Sequence, residues 1–367
     1  MPLNLVVQTA FLGDLLLAIP LLKRCRQLWP QHQLALVCRK GLGDFFLQTK
    51  LVDHVYEIKK GDKESYRKIL QDLKNVERII SPHQSLRTGF FCKQIQAKEK
   101  ISYSSWWNFL IFSKRISRNK NLPDPLRQLS LLCEDDESLR SLIENYLKRE
   151  TPYKTQGHGK LSEPPAWASM SLRSSVMANE TIFKNLRDRF SLEGFSASKT
   201  VLLFPGSVWA TKRWTKEGFV KTGQALQQQG YQIYLMGGPG EEELAEQVAQ
   251  QIPQAVSLAG KTSIFESTQL IARSSLVIAN DSASAHLASV CETPLLTIFG
   301  PTVLEFGYRP WSAQSYVVQK AELPCRPCGK HGHKVCPIKT HVCMKAISAA
   351  EVLESAGFIL RQSNPSR

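Results

Sequence analysis

The stretch "LNLVVQTAFLGDLLLAIPLLKRC", Leu3–Cys25, passes from an apolar run through a short turn into a second apolar run. A strand followed at once by a helix is the opening unit of a parallel α/β sheet. The turn is unusual, because Asp14 stands where a nucleotide-binding turn would carry small glycines. Gly13 would let the chain turn tightly. Asp14 would then fall at a helix N-terminus, where the dipole and free N–H groups keep a carboxylate ionised. Two readings of Asp14 stay open on this stretch alone. It is either a pre-oriented base that takes a proton from a hydroxyl or a carboxylate that stabilises the helix start by about 0.3–1 kcal/mol.

Working outward, short apolar runs recur along the chain ("QLALVC", "ERIISP", "TVLLFPG", "YQIYLMGG", "SLVIAND", "PLLTIFG") and alternate with helix-length patterns. This is the signature of an α/β protein with parallel sheets flanked by helices. The chain has 367 residues, 43% of them hydrophobic, which suffices for a sizeable core and about two domains. "TPYKTQGHGKLSEPPAWASMSLRSS", Thr151–Ser175, is rich in Pro, Gly, Ser and Lys and marks the break. Domains are therefore expected over 1–175 and 176–345, with 346–367 a closing helix and tail opened by a Ser cap in "SAAEVLESAGFIL". Two doubly wound domains facing each other would leave a cleft, with ligands at the carboxyl ends of strands. No basic n-region precedes the first apolar run, and Gly13, Asp14 and Pro20 interrupt it. A signal peptide or spanning helix is not expected, and the chain reads as cytoplasmic.

The formal net charge of +15 points to a polyanionic partner: nucleic acid, an anionic membrane surface or a phosphorylated substrate. Between Arg87 and Arg127 the cations, among them Lys93, Lys98 and Arg115, face very few acids, and "SYSSWWNFLIFSKRISRNK" mixes them with aromatics. That mixture suits a lipid headgroup boundary. It equally suits a solvated basic surface over a buried Trp106–Trp107 pair.

Three strand-to-helix turns in the second half carry polar motifs. In "FPGSVWATKRWTKEGF", Phe204–Phe219, the loop offers the Ser207 and Thr211 hydroxyls and the cations Lys212 and Arg213 before a helix begins near Thr215. Hydroxyls, amides and a cation together suit a diphosphate, the cation offsetting charge that grows on a departing phosphate. Two surface cations are the bland alternative. In "YLMGGPGEEELAEQVA" one of Glu241, Glu242 and Glu243 could accept from a ribose diol; three acids at a helix start are also ordinary helix design. In "LVIANDSASAHLASV", Ser282 and the amides behind it form an anion site, Asp281 can accept sugar hydroxyls, and His286 can donate to a phosphate or simply pack.

The last cluster is "PCRPCGKHGHKVCPIKTHVCM", with Cys325, Cys328, Cys336 and Cys343 in C-x2-C-x7-C-x6-C spacing and His331, His333 and His341 beside them. Four thiolates can close a tetrahedral structural site around zinc or iron, and reduced structural thiols are the alternative. The other five of the nine cysteines read as ordinary buried thiols of a reducing compartment. Charge plus a four-cysteine metal knuckle would also fit a nucleic-acid-binding protein, although no recognised nucleic-acid motif is present.

The order F-L-G-D, "HQSLRTGFF", P-G-S-x-W-A-T-K-R-W, a G-G-x-x-E turn, "LAGKTSIFESTQLIARSSLVIANDS" and D-S-x-x-x-H-L-A resembles the lipopolysaccharide heptosyltransferases of glycosyltransferase family 9, most closely the heptosyltransferase II type. The resemblance covers nearly the whole chain except about Tyr153–Thr181. It implies a GT-B fold of two facing Rossmann-like domains, the first binding acceptor and the second ADP-heptose. It also implies inverting transfer of heptose from ADP-heptose to the inner core built on lipid A, at the inner face of the cytoplasmic membrane, with no catalytic metal and no nucleic acid. By this resemblance Asp14 is the base, Lys212 the catalytic diphosphate ligand, Glu241 a ribose ligand, and Asp281 with His286 the sugar and phosphate contacts. Thr9, Gly13, Ser207, Thr211 and Ser282 complete the donor set, and Arg87, Lys93, Lys98 and Arg115 are the acceptor candidates. Ala283 stands where the family commonly has Gly, and Thr9 where Ser is frequent. An ADP-heptose-dependent enzyme acting on protein is the alternative within the class.

Overall fold

The computed structural model describes residues 1–149 and 159–363. Two compact units divide them, one built on residues up to 149 with Trp167–Met170, the other on 159–166 and 171–363. The first contains six parallel strands, β1 (Leu3–Val7), β2 (Gln33–Arg39), β3 (His54–Ile58), β4 (Val76–Ser81), β5 (Glu99–Tyr103) and β6 (Lys114–Ile116), in the spatial order β3-β2-β1-β4-β5-β6. Every residue of β1 is buried. A central parallel strand is covered on both faces, so it reads as a continuous apolar run rather than an alternating one.

The apolar run after β1 forms two helices, Leu12–Leu16 and Ile19–Leu28. Pro20 sits in the first turn of the second, where its missing N–H has no intrahelical partner to lose. Gly13 does not make the tight turn expected of it. It lies inside the first short helix and is absent from the glycines with positive φ; the turn is made by the residues before Phe11, which is extended.

The second unit has seven strands, β7 (Gly159–Lys160), β8 (Thr200–Phe204), β9 (Gln232–Leu235), β10 (Val256–Ser257), β11 (Leu276–Asn280), β12 (Leu295–Phe299) and β13 (Ser315–Gln319). Their order is β10-β9-β8-β11-β12-β13-β7, with β7 antiparallel to β13. That pairing draws 159–166 into the second unit, ahead of the 175/176 division read from composition. Composition marks where regular structure stops; strand pairing decides which sheet a segment joins. Residues 150–158 of the expected linker, and 364–367 of the expected tail, lie outside the described residues. The closing helix, Ala349–Ser363, opens with a reciprocal cap, Glu351 N–H to Ser348 Oγ at 3.3 Å and Ser348 N–H to Glu351 Oε2 at 2.9 Å. It buries Val352, Ala356, Ile359 and Leu360 against Phe219, Leu226 and Val318. The Val, Ile and Leu side chains contribute about 1.5–3 kcal/mol each, so this helix is part of the second core.

In each sheet the strand order reverses once, between β1 and β4 and between β8 and β11. Loops leaving the carboxyl ends of strands at such a reversal are where open α/β sheets take ligands. These loops carry Thr9 and His83 in the first unit and Ser207, Lys212 and Asp281 in the second. Among the described residues no helix is long and apolar enough to cross a membrane.

Candidate active site

In the first unit, Asp14 lies in the opening turn of Leu12–Leu16, where its Oδ2 accepts the Phe11 N–H at 3.3 Å. Burial first, and then the charge of Asp124, push its carboxyl up to about 6, against the Phe11 and Asp14 N–H groups and the Arg118 charge. It is ionised at neutral pH yet close to titrating, as a general base should be. Asp124 is itself buried and paired, with Arg127 Nη1 at 3.1 Å and Gln128 Nε2 at 2.7 Å. Gln128 Nε2 also donates to the Asp14 carbonyl at 3.1 Å, tying the two acids' segments together. No local signal could have coupled Asp14 to residues more than a hundred positions away.

The Thr9 hydroxyl lies between the loops of the first unit. Buried, its Oγ1 lies 2.7 Å from His83 Nδ1 and 3.0 Å from Thr88 Oγ1, bridging the loops after β1 and β4. Burial, then the charges of Arg39 and Lys60, push the His83 imidazole down to about 4, so the ring is neutral. "HQSLRTGFF" contained this histidine, but only the fold shows what it holds.

In the second unit, Lys212 Nζ lies 2.6 Å from Asp281 Oδ2, and Thr302 Oγ1 donates to the same oxygen at 2.5 Å. Burial alone would raise the Asp281 carboxyl; the Lys212 charge and the two hydrogen bonds outweigh it and hold it below the usual range. Ser282 precedes the helix Ala283–Val290, its hydroxyl 2.6 Å from that of Ser284. One turn on, His286 is buried, and among the described residues its Nδ1 has no hydrogen-bond partner. Burial pushes this imidazole down to about 4, with Asp281 opposing and Lys212 adding. An enclosed ring nitrogen without a partner, beside a helix N-terminus and a lysine, suits a phosphate oxygen.

Glu241 is separated from its neighbours by what it touches. Its Oε2 accepts the Gly238 N–H at 2.9 Å, whereas Glu242 turns to Gly240 and Glu243 to Gln247. A Cβ on Gly206 would lie 2.1 Å from the Glu241 Cδ, so only glycine lets this carboxylate reach the loop after β8. Burial raises the Glu241 carboxyl, with the Gly238 N–H and Arg213 opposing. Ser207 is buried in the same loop and its carbonyl accepts Arg213 Nε at 2.8 Å. Asn280, unassigned from sequence, donates to the carbonyls of Pro205 and Gly206 at 2.8 and 3.2 Å and accepts the Trp214 N–H at 2.9 Å, stapling the end of β11 to this loop.

Thr211 is fully engaged by the cysteine segment. Its hydroxyl donates to the His333 carbonyl at 2.9 Å and accepts the His333 N–H at 2.7 Å, and its own carbonyl accepts from His341 Nε2 at 2.8 Å. Thr211 therefore docks one loop on another. The four expected metal thiols are all free. Burial first, then the charges of Cys325, Cys336 and Cys328, push Cys343 up to about 11, so Cys343 feels the other three. The four are not, however, an assembled ligand set: among the described residues no three His, Cys, Asp or Glu side chains converge to hold an ion. Cys343 is buried on the short helix Val342–Lys345, while Cys336 accepts the His341 N–H at 3.4 Å. Of the remaining cysteines, Cys25, Cys38, Cys92 and Cys291 are buried and Cys133 is half-buried.

The acceptor candidates Arg87, Lys93, Lys98 and Arg115 are exposed. Arg87 and Lys93 lie on the helix Leu86–Gln94, Arg115 on β6, and Lys98 pairs with Glu77 at 3.1 Å.

The profile of glycosyltransferase family 9 (heptosyltransferase) matches residues 66–339. Lipooligosaccharide heptosyltransferase 2 of Campylobacter jejuni subsp. jejuni serotype O:2 is 32% identical over 194 residues, which is 50% of this chain; the chain spans 59% of that relative's length. Among solved structures, E. coli ADP-heptose lps heptosyltransferase II superposes with a TM-score of 0.76 at 17% identity, covering 99% of both chains. The iron-containing dodecameric glycosyltransferase TibC of enterotoxigenic E. coli H10407 superposes with a TM-score of 0.53 at 15% identity, over 98% of this chain and 76% of that one. The fold is thus the two-domain α/β fold of the GT-B heptosyltransferase structures.

Proposed function

The chain belongs to glycosyltransferase family 9, and from that premise we propose that it moves heptose, with inversion, from ADP-heptose to the inner core of a lipid A-based acceptor. In this reading the acceptor hydroxyl loses its proton to Asp14 as its oxygen bonds to the anomeric carbon, while the bond from that carbon to the diphosphate breaks. Lys212 and the amides at Ala283–Val290 take up the charge that develops on departing ADP. His286 contacts a phosphate, Asp281 the sugar, and Glu241 the ribose diol. Arg87, Lys93, Lys98 and Arg115 meet acidic groups of the acceptor, and the enzyme works in the cytoplasm, peripheral to the inner membrane. The observation that carries the proposal is the place of Asp14, in the helix-opening turn at the reversal point of the first sheet, where burial and the charge of Asp124 push its carboxyl up to about 6.

Incubation with ADP-heptose and a panel of truncated lipopolysaccharide cores, with product masses as readout, tests it. Gain of one heptosyl unit on a core supports the reading; transfer to polypeptide but to no core would shift it to the protein-acceptor alternative. Family membership favours a transferase over the nucleic-acid-binding reading of the charge and cysteines. No step as written uses a metal. A structural zinc or iron at Cys325, Cys328, Cys336 and Cys343 remains a proposal. It is supported by a donor set of four thiols, of which Cys343 and Cys328 each feel the charge of Cys325 and Cys336, and by the iron content of TibC, and it requires the thiols to draw closer than they lie.

A further inference from the structure

Trp106 and Trp107 are not the buried pair that a solvated basic surface would cover. Trp107 packs over Gly89, where a Cβ would lie 2.4 Å from its ring, whereas Trp106 is 88% exposed. The segment between β5 and β6 that carries them is pinned from below by Asn108. That side chain is fully buried, donates to the Tyr103 carbonyl at 2.8 Å and accepts the Ser105 N–H at 3.1 Å. Gln84 Nε2 donates to Ser105 Oγ at 3.1 Å, fixing the segment to the start of Leu86–Gln94. The result is a held surface of large apolar side chains left in water. Leu110 is 75% exposed, and Phe109, with Leu86 and Phe90 one turn apart on the helix that Trp107 covers, is more than half exposed. Such a cluster signals a missing partner.

Charge identifies the partner. Glu99 is the single acid between Pro82 and Pro123, and it is already paired with Arg78 and Lys114. Exposed Arg87 and Lys93 share the helix of Leu86 and Phe90, and exposed Arg115 and Lys120 follow Leu110 within ten residues. Hydrocarbon beneath a layer of negative headgroups satisfies both demands at once: Trp, Phe and Leu enter the boundary, and long cationic side chains reach the headgroups. We propose that Leu86, Phe90, Trp106, Phe109 and Leu110 form a wedge that inserts into an anionic bilayer and seats the first unit on it. This deepens the proposed function, resting on its membrane-borne acceptor, and names the surface that reaches it.

The test is sedimentation with vesicles of phosphatidylethanolamine and phosphatidylglycerol against vesicles of phosphatidylcholine alone, for the full chain and for Trp106→Ser/Leu110→Ser, neither residue belonging to the active site. The wild-type chain should bind the anionic vesicles, weaken with salt, and bind neutral ones poorly; the double variant should bind at least tenfold more weakly. Its thermal midpoint and its turnover with a soluble, deacylated core should equal those of the wild type, while turnover with vesicle-embedded acceptor falls. Equal vesicle binding by variant and wild type overturns the wedge. So does a wild-type dimer that the double variant abolishes without vesicle binding, which would make the patch a self-association face. Vesicle binding that depends on Trp106 and Leu110 without heptose transfer to any core would sustain the wedge and refute the proposed reaction, so the two failures are distinguishable.

Discussion

Lys212 Nζ and Asp281 Oδ2, from loops after two adjacent strands, lie 2.6 Å apart with both side chains largely buried. Breaking such a pair from one side leaves an uncompensated charge, at a cost of up to about 3–5 kcal/mol. Lys212→Ala should therefore lower the thermal midpoint by several degrees as well as weaken ADP binding by about 10–100-fold, the value of a charge-assisted contact. Lys212→Ala/Asp281→Asn should regain most of the midpoint but not the affinity. Calorimetric ADP titration beside thermal melts separates the two effects, and unchanged ADP affinity in the single variant would place the diphosphate elsewhere.

Asp14→Asn should lower turnover by about two to four decades while leaving ADP affinity intact. In the wild type kcat should fall on an acid limb near pH 6, where Asp14 titrates. Arg118→Gln removes a charge that lowers the Asp14 pKa, so its limb should move to higher pH. The stability consequence has the opposite sign to the catalytic one. A carboxyl raised in the folded state resists ionisation there, so the charge destabilises the fold above about pH 6 and not below the usual carboxylate range. Asp14→Asn should accordingly be more stable than wild type at pH 7.5, by up to roughly 3 kcal/mol, and equal to it near pH 3.5. Denaturant melts at the two pH values check this.

His83 and His286 are both pushed down to about 4, and folding keeps both rings neutral. The unfolded chain binds protons more readily below about pH 6.5, so the stability these groups confer is whole above that pH and drains away as pH falls toward 4. Asp14 and Glu241, both raised by burial, work against this trend by gaining stability as they protonate, and His331, lowered by burial, adds to it. The net expectation is a thermal midpoint that falls between pH 6.5 and 4. His286→Asn should make that fall shallower, each histidine contributing at most about 1.4 kcal/mol per pH unit. A midpoint independent of pH over this window would mean that the rings are not enclosed in solution.

The strands were readable because a strand buried on both faces must be apolar throughout; "LNLVV" and "SLVIAND" mark the centres of two sheets for that reason. Ser348 was readable as a helix cap, and the helix start near Thr215 was readable too, because such signals are local. What could not be read depends on contacts between distant segments. Nothing near Asp14 announces Asp124, and nothing in A-T-K-R says that the Thr211 hydroxyl will be taken by His333. The spacing of the four cysteines suggested a closed site, yet spacing does not fix where side chains point, and Cys343 lies in the core among Met344 and Ile347.

The proposed structural metal gives a prediction that uses this docking. Purified, never-chelated protein should carry about one equivalent of zinc or iron, and Cys325→Ser/Cys328→Ser should lose it along with several degrees of thermal midpoint. Because His333 and His341 hold Thr211, next to Lys212, loosening the segment should raise KM for ADP-heptose more than it lowers kcat. Elemental analysis finding neither metal would reject the site; full stability with no turnover would instead move the metal into the chemistry.

Gly206 and Glu241 supply the last prediction. Gly206→Ala would place a methyl group 2.1 Å from the Glu241 Cδ, a distance no real contact shows. Since the obstruction is the end of a side chain, the carboxylate can swing away and the strand β8 before it need not move. The fold should survive, with a midpoint close to wild type, while the carboxylate leaves the position proposed for the ribose diol. Loss of a hydrogen bond to a charged group is worth about 1.5–3 kcal/mol, so ADP should bind about 10–100-fold more weakly. Glu241→Gln should show a similar loss, and the double variant no more than either alone, because both changes remove one contact. Additive losses would show that Gly206 serves the ligand by some route other than making room for Glu241.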